Sequence, residues 1–235
     1  MLNFAIKGLQ RLSGCLWRSI FTMWDALTYG ITKSMFILQY ILLGFICVAI
    51  DYLLTLPIIN NMDFSRAIVD NMGHALIGGV SWIIVVGIHR KGILQAIGCA
   101  VMSSLIDVDH FVMARSLQLK DAVSLPHRPP LHATTILPFV VPILQVWCAQ
   151  NIPCLNHLPY MFIVAVLSHH LRDAHRRGLW FWPMGSTPPL PYWVYLSCVV
   201  ILPAIVRDAI EAIEKLPVSE LGNGGSQGNV IQEQV

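Results

Sequence analysis

Of the 235 residues, 55% are hydrophobic and only 12% charged, and the mean hydropathy of +0.63 is higher than a water-soluble domain sustains. A net charge of +2, with basic residues scattered between apolar segments, gives no footing for nucleic acid as a partner and points to membrane lipids. The six cysteines (Cys15, Cys47, Cys99, Cys148, Cys154 and Cys198) form no C-x-x-C pair, which argues against both a disulfide framework and a thiolate metal site and leaves them as packing residues.

The chain opens with charges spread over residues 1–34. Lys7, Arg11, Arg18 and Asp25 fall with Asn3 on one helical face, and Phe4, Ile6, Leu9, Leu16, Ile20 and Trp24 lie mostly elsewhere. That pattern predicts an amphipathic helix lying in the interface and lacks the continuous apolar core of a cleaved signal peptide. A hydrocarbon core needs about 20 apolar residues of helix. On that length the segments 35–58, 72–89, 92–113, 131–149, 158–175 and 191–208 are candidates, so the expected fold is an all-α multi-pass transmembrane helix bundle of about six helices over 35–213. Short connections such as "HRKG" (89–92) make successive helices antiparallel neighbours. The last stretch, 214–235, is rich in Gly, Asn and Gln and is expected to be disordered. Lys and Arg divide almost evenly between the two sides, so they do not set the orientation.

Polar residues in these segments gather at particular ends. Asp70 and His74 stand where the second segment begins, and Asp107, Asp109 and His110 near the end of the third. His127, Arg128 and His132 open the fourth, and His169 and Asp173 close the fifth. Because helices alternate in direction, all four groups are expected on one membrane face. His169 and Asp173 share a helix face, being four apart, as do Asp70 and His74. Asp107 and Asp109 lie about 200° apart on an ideal helix and reach one site only if the helix ends or unwinds there. Neutral imidazole with carboxylate suits a divalent metal such as Zn²⁺, Mn²⁺ or Fe²⁺. The proposed ligands are His74, Asp107, Asp109, His110, His132, His169 and Asp173. Arg128, Arg172 and Arg176 are candidates for holding an anionic substrate. His89, His157 and His170 read as ordinary turn, loop or outward-facing residues, while Asp51, within the first segment, is a further candidate by virtue of being an intramembrane acid.

At these residues the chain resembles the YdjM-like family of inner-membrane metal-dependent hydrolases. Its pattern of an early His, P-D-x-D-H, H-R-G-x-T-H-S and H-x-x-x-D is met in order by "HALIGG" from His74, "IDVDH" ending at His110, "HRPPLHA" from His127 and "HHLRDAHRRGLWFWP" from His169. Ile106, Pro129, Leu131 and Ala133 stand where that pattern has Pro, Gly, Thr and Ser. The whole chain is also similar to a small multi-pass membrane protein that brings no activity with it. The resemblance implies a metal-dependent hydrolase acting on phosphate-containing or other ester substrates, including lipids, at the membrane interface. In that reading Arg128 binds the substrate's anionic group and His127 is the catalytic residue assisting proton transfer. Two other functions fit the residues: an ion or proton transporter, which would need a polar path through the bundle, and a scaffold keeping a structural metal site.

Overall fold

The computed structural model describes Met35 and residues 37–215. The interfacial helix expected at 1–34 and the tail from 216 onward lie outside them.

The described chain is helical apart from one small hairpin. Helices α1 (Ile37–Thr55), α2 (Pro57–Asn60), α3 (Asp63–Val86), α4 (Arg90–Leu105), α5 (Val108–Ala114) and α6 (Leu119–Val123) are followed by two 3-10 turns, Pro130–His132 and Thr134–Ile136. Helices α7 (Leu137–Asn151), α8 (Leu158–Arg177) and α9 (Tyr192–Glu214) complete the bundle, with antiparallel strands β1 (Trp180–Phe181) and β2 (Gly185–Ser186) between the last two.

Three of these stretches, Ile37–Thr55, Asp63–Val86 and the α4–α5 run Arg90–Ala114, are long and apolar enough to cross a membrane. The expectation of about six such helices is corrected to that number among the described residues. The 15 residues of α7 fall short of a full crossing. Helix α8 ends in a run of His, Asp and Arg from His169 to Arg177, and α9 ends in Arg207, Asp208, Glu211 and Glu214.

A second correction bears on the site. Helix α3 begins at Asp63, well before the apolar segment that starts near 72, because nothing in "DFSRAIVDN" breaks a helix. Its polar residues hid it from a hydropathy window. Asp70 and His74 therefore lie within α3 and not at its start.

Helices α3 and α8 occupy the middle of the bundle, α3 packing on α4, α8 and α9, and α8 on α3, α4, α7 and α9. One apolar core joins Trp82, Cys99, Val164, Leu202 and Val206, and a second joins α1 to α3 and α9 through Leu43, Cys47, Ile77, Tyr195 and Val199. Outward-facing residues of α1 such as Ile41 and Phe45 are exposed, as a lipid-facing surface requires. Small residues set the helix spacing. A Cβ on Gly78 would lie 2.8 Å from the Ser103 Cβ and 3.5 Å from the Ser168 Oγ, so α3, α4 and α8 meet at three small residues. Gly78 is one helical turn from His74, Ser103 one turn from Asp107, and Ser168 is next to His169.

Candidate metal centre

The carboxylates of "IDVDH" are brought together by a break in the helix. Helix α4 stops at Leu105, Ile106 and Asp107 form a turn, and α5 restarts at Val108. The junction is held by bonds of the tighter 3-10 spacing, Asp109 N–H to the Ile106 carbonyl at 3.3 Å and His110 N–H to the Asp107 carbonyl at 3.2 Å. This is the unwinding that the spacing of Asp107 and Asp109 demanded. "HRPPLHA" behaves differently from expectation. His132 ends the isolated turn Pro130–His132, and α7 starts only at Leu137, so the side chain is delivered by a short loop pinned between elements. The Leu131 N–H donates to Asp109 Oδ2 at 2.9 Å, and Ala133 bridges to Trp180.

Seven side chains meet in overlapping triads: His74, His169 and Asp173; Asp107, His132 and His169; Asp109, His110 and His132, with the potential ligand atoms of each triad within 4.8 Å of one another. The middle triad has the most informative geometry. Nε2 of His132 and Nε2 of His169 are 3.2 Å apart, and Asp107 Oδ1 is 3.4 Å from the first and 3.5 Å from the second. Around a tetrahedral ion bound at about 2.0–2.2 Å, neighbouring ligand atoms are separated by about 3.3–3.6 Å. Two of the three edges fall in that range and the third, between the two nitrogens, is about 0.1 Å short of it.

The ring protons are assigned by the partners on the far side. Nδ1 of His169 lies 2.9 Å from the Ser103 carbonyl, which can only accept, so this nitrogen carries the proton and Nε2 presents a lone pair. Nδ1 of His132 faces both oxygens of Asp109 at 3.4 Å. A backbone carbonyl and a carboxylate behind two imidazoles is the arrangement that orients metal-binding histidines. Without a cation, His132 takes a proton: burial opposes its charge, but hydrogen bonds to Asp107 and Asp109 outweigh this and lift its pKa to about 9.

Asp173 Oδ2 lies 3.6 Å from His132 Nε2 and 3.8 Å from His169 Nε2, while its other oxygen is 3.6 Å from His74 Nε2 and 2.7 Å from Arg176. The His74 ring stacks on His169 with centroids 3.7 Å apart, and its Nδ1 is buried without a hydrogen-bond partner. His110 Nδ1 sits 3.3 Å from Asp109 Oδ1. Asp107 and Asp109 pair with no Lys or Arg among the described residues. The two acids face the imidazoles of His110, His132 and His169, and this donor set of imidazole and carboxylate fits a divalent metal.

Arginines organise the surroundings. Arg172, 1% exposed, reaches Asp70 Oδ1 at 2.5 Å and Asp51 Oδ1 at 3.5 Å, and Arg176 joins Asp70 to Asp173. Tyr195 donates to Asp51 at 3.0 Å, so Asp51 belongs to this ionic chain and not to the triads. Arg128 donates to the carbonyls of Gly178, at 2.9 Å, and Arg177, capping the end of α8; partial burial lowers its pKa. His127 is exposed and lines the neighbouring cavity, outside the triads.

Sequence reasoning missed the part played by His170. It is buried and holds the loop that carries His132, with Nε2 2.9 Å from the Leu131 carbonyl and Nδ1 3.2 Å from Thr134 Oγ1. Only the repeated histidine at 169 and 170 hinted at it. His89 caps α4, accepting from Gly92 N–H at 2.7 Å, and His157 lies by Glu214, both away from the cluster.

Fold and cluster together define an integral multi-pass helical membrane protein with a group of His and Asp side chains suited to a metal. Comparison with known proteins gives the family. The chain is 43% identical over 164 residues to transmembrane protein 267 of Danio rerio (68% of this chain, 74% of the relative). It is 44% identical over 166 residues to that of Mus musculus (68% and 76%), and 41% over 174 residues to that of Bos taurus (69% and 77%). The chain belongs to the transmembrane protein 267 family. No family model matches it, and no solved structure does.

Proposed function

We propose that this protein is a metal-dependent hydrolase of phosphate or carboxylate esters working at the membrane. The observation that carries the reading is the pair of imidazole Nε2 atoms 3.2 Å apart, both facing Asp107, with their opposite nitrogens committed to Ser103 and Asp109. Such closeness is held either by one proton, with His132 Nε2–H donating to the His169 lone pair, or by a cation taking that proton's place. Asp107, His132 and His169 would hold a Zn²⁺, Mn²⁺ or Fe²⁺ ion, with Asp173 and His74 beside it and Asp109 and His110 fixing His132, whether one ion binds or two. The ordered likeness of the four His and Asp blocks to the YdjM-like hydrolases supports the same reading.

A bound cation at such a site supplies a Lewis acid for the ester oxygen and lowers the pKa of nearby water. Hydrolysis adds the water oxygen to phosphorus or carbonyl carbon and breaks the bond to the leaving oxygen, which takes a proton. His127, which lines the cavity beside the cluster, would give that proton. Asp109 keeps His132 in one tautomer, and Arg128 stands at the rim for an anionic group. Purified protein assayed by elemental analysis and with fluorogenic phosphate and carboxylate esters tests this. Near-stoichiometric metal and chelator-sensitive turnover are expected; metal-loaded protein that cleaves neither ester class overturns the hydrolase.

The transporter reading draws on a separate observation, the charged chain from Asp173 through Arg176, Asp70 and Arg172 to Asp51, which extends polar groups away from the cluster. Protein reconstituted in liposomes would then carry protons or metal across the bilayer, with flux lost in Asp51→Asn; tight vesicles without flux dismiss it.

A further inference from the structure

A cavity of about 1040 Å³ adjoins the cluster between α3, α5, α6 and the loop before Pro130. Its wall is divided by chemistry. Phe64, Ile68 and Met72 line it, recurring every four residues and so forming one stripe along α3; they are 67%, 43% and 56% exposed. Phe111 and Val123 line it as well. At the other end stand Asp107, His110 and Asp173 of the cluster, together with Arg128 and Arg177. The stripe lies in the polar first turns of α3, where Asp63, Arg66 and Asn71 also line the cavity, just before the apolar stretch of a helix long enough to cross the membrane, so it sits where a membrane interface would be.

The arginines differ in what they have left to offer. Arg172 and Arg176 are occupied by Asp51, Asp70 and Asp173. Arg128 gives one donor from each terminal nitrogen to the end of α8, which fixes its guanidinium and leaves its remaining N–H groups free. Arg177 forms no ion pair among the described residues, and it lines both the large cavity and a smaller pocket beside His132 and His170. An unpaired guanidinium next to a fixed one, beside an apolar trough, is charge complementarity for an anionic amphiphile. A phosphate head has enough oxygens to meet two guanidiniums and still face the cluster, whereas a carboxylate has two. A free phosphate would leave the apolar wall uncovered.

We propose that this cavity binds a membrane lipid with a phosphomonoester head. Its chain lies along Phe64, Ile68 and Met72, and its phosphate is held by Arg177 and Arg128 against the Asp107–His132–His169 triad. The inference names the substrate class of the proposed hydrolase and rests on that reading for the fate of the head, while binding itself needs no turnover.

The test is photolabelling of the full chain in a maltoside detergent, which contributes no phosphate. The probes are phosphatidic acid with a diazirine in one chain and a diacylglycerol carrying the same chain. Saturable labelling of the peptide containing residues 64–72 by the first probe and weak labelling by the second are expected, with no competition from inorganic phosphate at equal concentration. Arg177→Gln should lower labelling about tenfold, the scale of a lost charge-assisted contact. Ile68→Trp should lower it by filling the trough while metal content is unchanged. Equal labelling by both probes, competition by inorganic phosphate, or undiminished labelling in both variants overturns the proposal. So does a photoreactive residue at position 68 that crosslinks to residues 1–34, since the chain itself would then be the occupant. Lipid binding without ester cleavage would sink the hydrolase and keep this site; cleavage of soluble esters without labelling would do the reverse.

Discussion

His132 offers both ring nitrogens to acids, Asp109 on one side and Asp107 on the other, and a short loop carries it into the bundle. Its two contacts have different consequences. Asp107 shares with His132 and His169 the spacing of a ligand set, whereas Asp109 accepts from the Leu131 N–H and the imidazole behind the triad. Removing a ligand should therefore differ from removing its support. Asp107→Ala, His132→Ala and His169→Ala are each expected to abolish bound metal, as measured by elemental analysis of purified protein. Asp109→Asn, which keeps the hydrogen-bond shape and loses the charge, should weaken metal affinity by about 10–100-fold, as outer-shell changes do. His157→Ala, at the opposite end of α8, should leave metal content unchanged. Full metal in Asp107→Ala would remove the triad from consideration.

At the scale of elements, the site exists because three helices approach closely one turn away from it. Gly78, Ser103 and Ser168 give that approach, and a methyl group on Gly78 would meet the Ser103 Cβ at 2.8 Å. Gly78→Ala should push α3 from α4, costing about 1–3 kcal/mol as overpacked cores do, and it should carry His74 away from His169. Thermal unfolding in detergent should show the loss together with reduced metal content. A wild-type melting temperature with wild-type metal would mean that this contact does not position the ligands. The ionic chain offers a companion test. Arg172, buried between acids of α1 and α3, cannot be shortened without stranding Asp51, so Arg172→Ala should destabilise by about 3–5 kcal/mol, and Arg172→Lys should recover only part of this, because one ammonium cannot span both acids. Equal stability of the two variants, read by the same unfolding assay, would argue that the chain is incidental.

The same elements explain what could be read in advance. The seven cluster residues were legible because alternating helix direction and spacings of three or four residues are properties of the chain itself, and the separation of Asp107 from Asp109 already required the break after Leu105. Arg177 and His170 were not legible. Arg177 stands out only because the arginines nearest the cluster, Arg128, Arg172 and Arg176, are engaged, and His170 works through the Leu131 carbonyl and Thr134, contacts that no spacing within α8 reveals. The number of membrane-crossing helices was overstated because an apolar window registers segments and not the helices they belong to: it granted full spans to the short α7, to α8 with its charged end and to α9 with its charged last turns.

For the whole molecule, the cluster is a fastening between parts distant in sequence. Its His and Asp side chains come from α3, the α4–α5 junction, the loop before α7 and α8, so a cation there would join four elements distant in sequence. Reporter cysteines beside Asp107, Arg128 and Asp173, in a chain freed of its native thiols, should accordingly react from one membrane side; labelling of one of them from the other side would separate the cluster. A ligand that binds the folded state alone stabilises it by RT ln(1 + [L]/Kd), about 2.7 kcal/mol when free metal is 100 times Kd. Chelation should therefore lower the melting temperature of the purified protein and returning Zn²⁺ or Mn²⁺ should restore it, whichever the site prefers. His169→Ala should melt alike with and without metal, because it removes a member of two of the three triads, including the one near tetrahedral spacing. This comparison separates the cation from general packing: a chelator effect of the same size in His169→Ala would mean that the metal acts elsewhere on the protein, and no effect in either would mean that the cluster holds no metal.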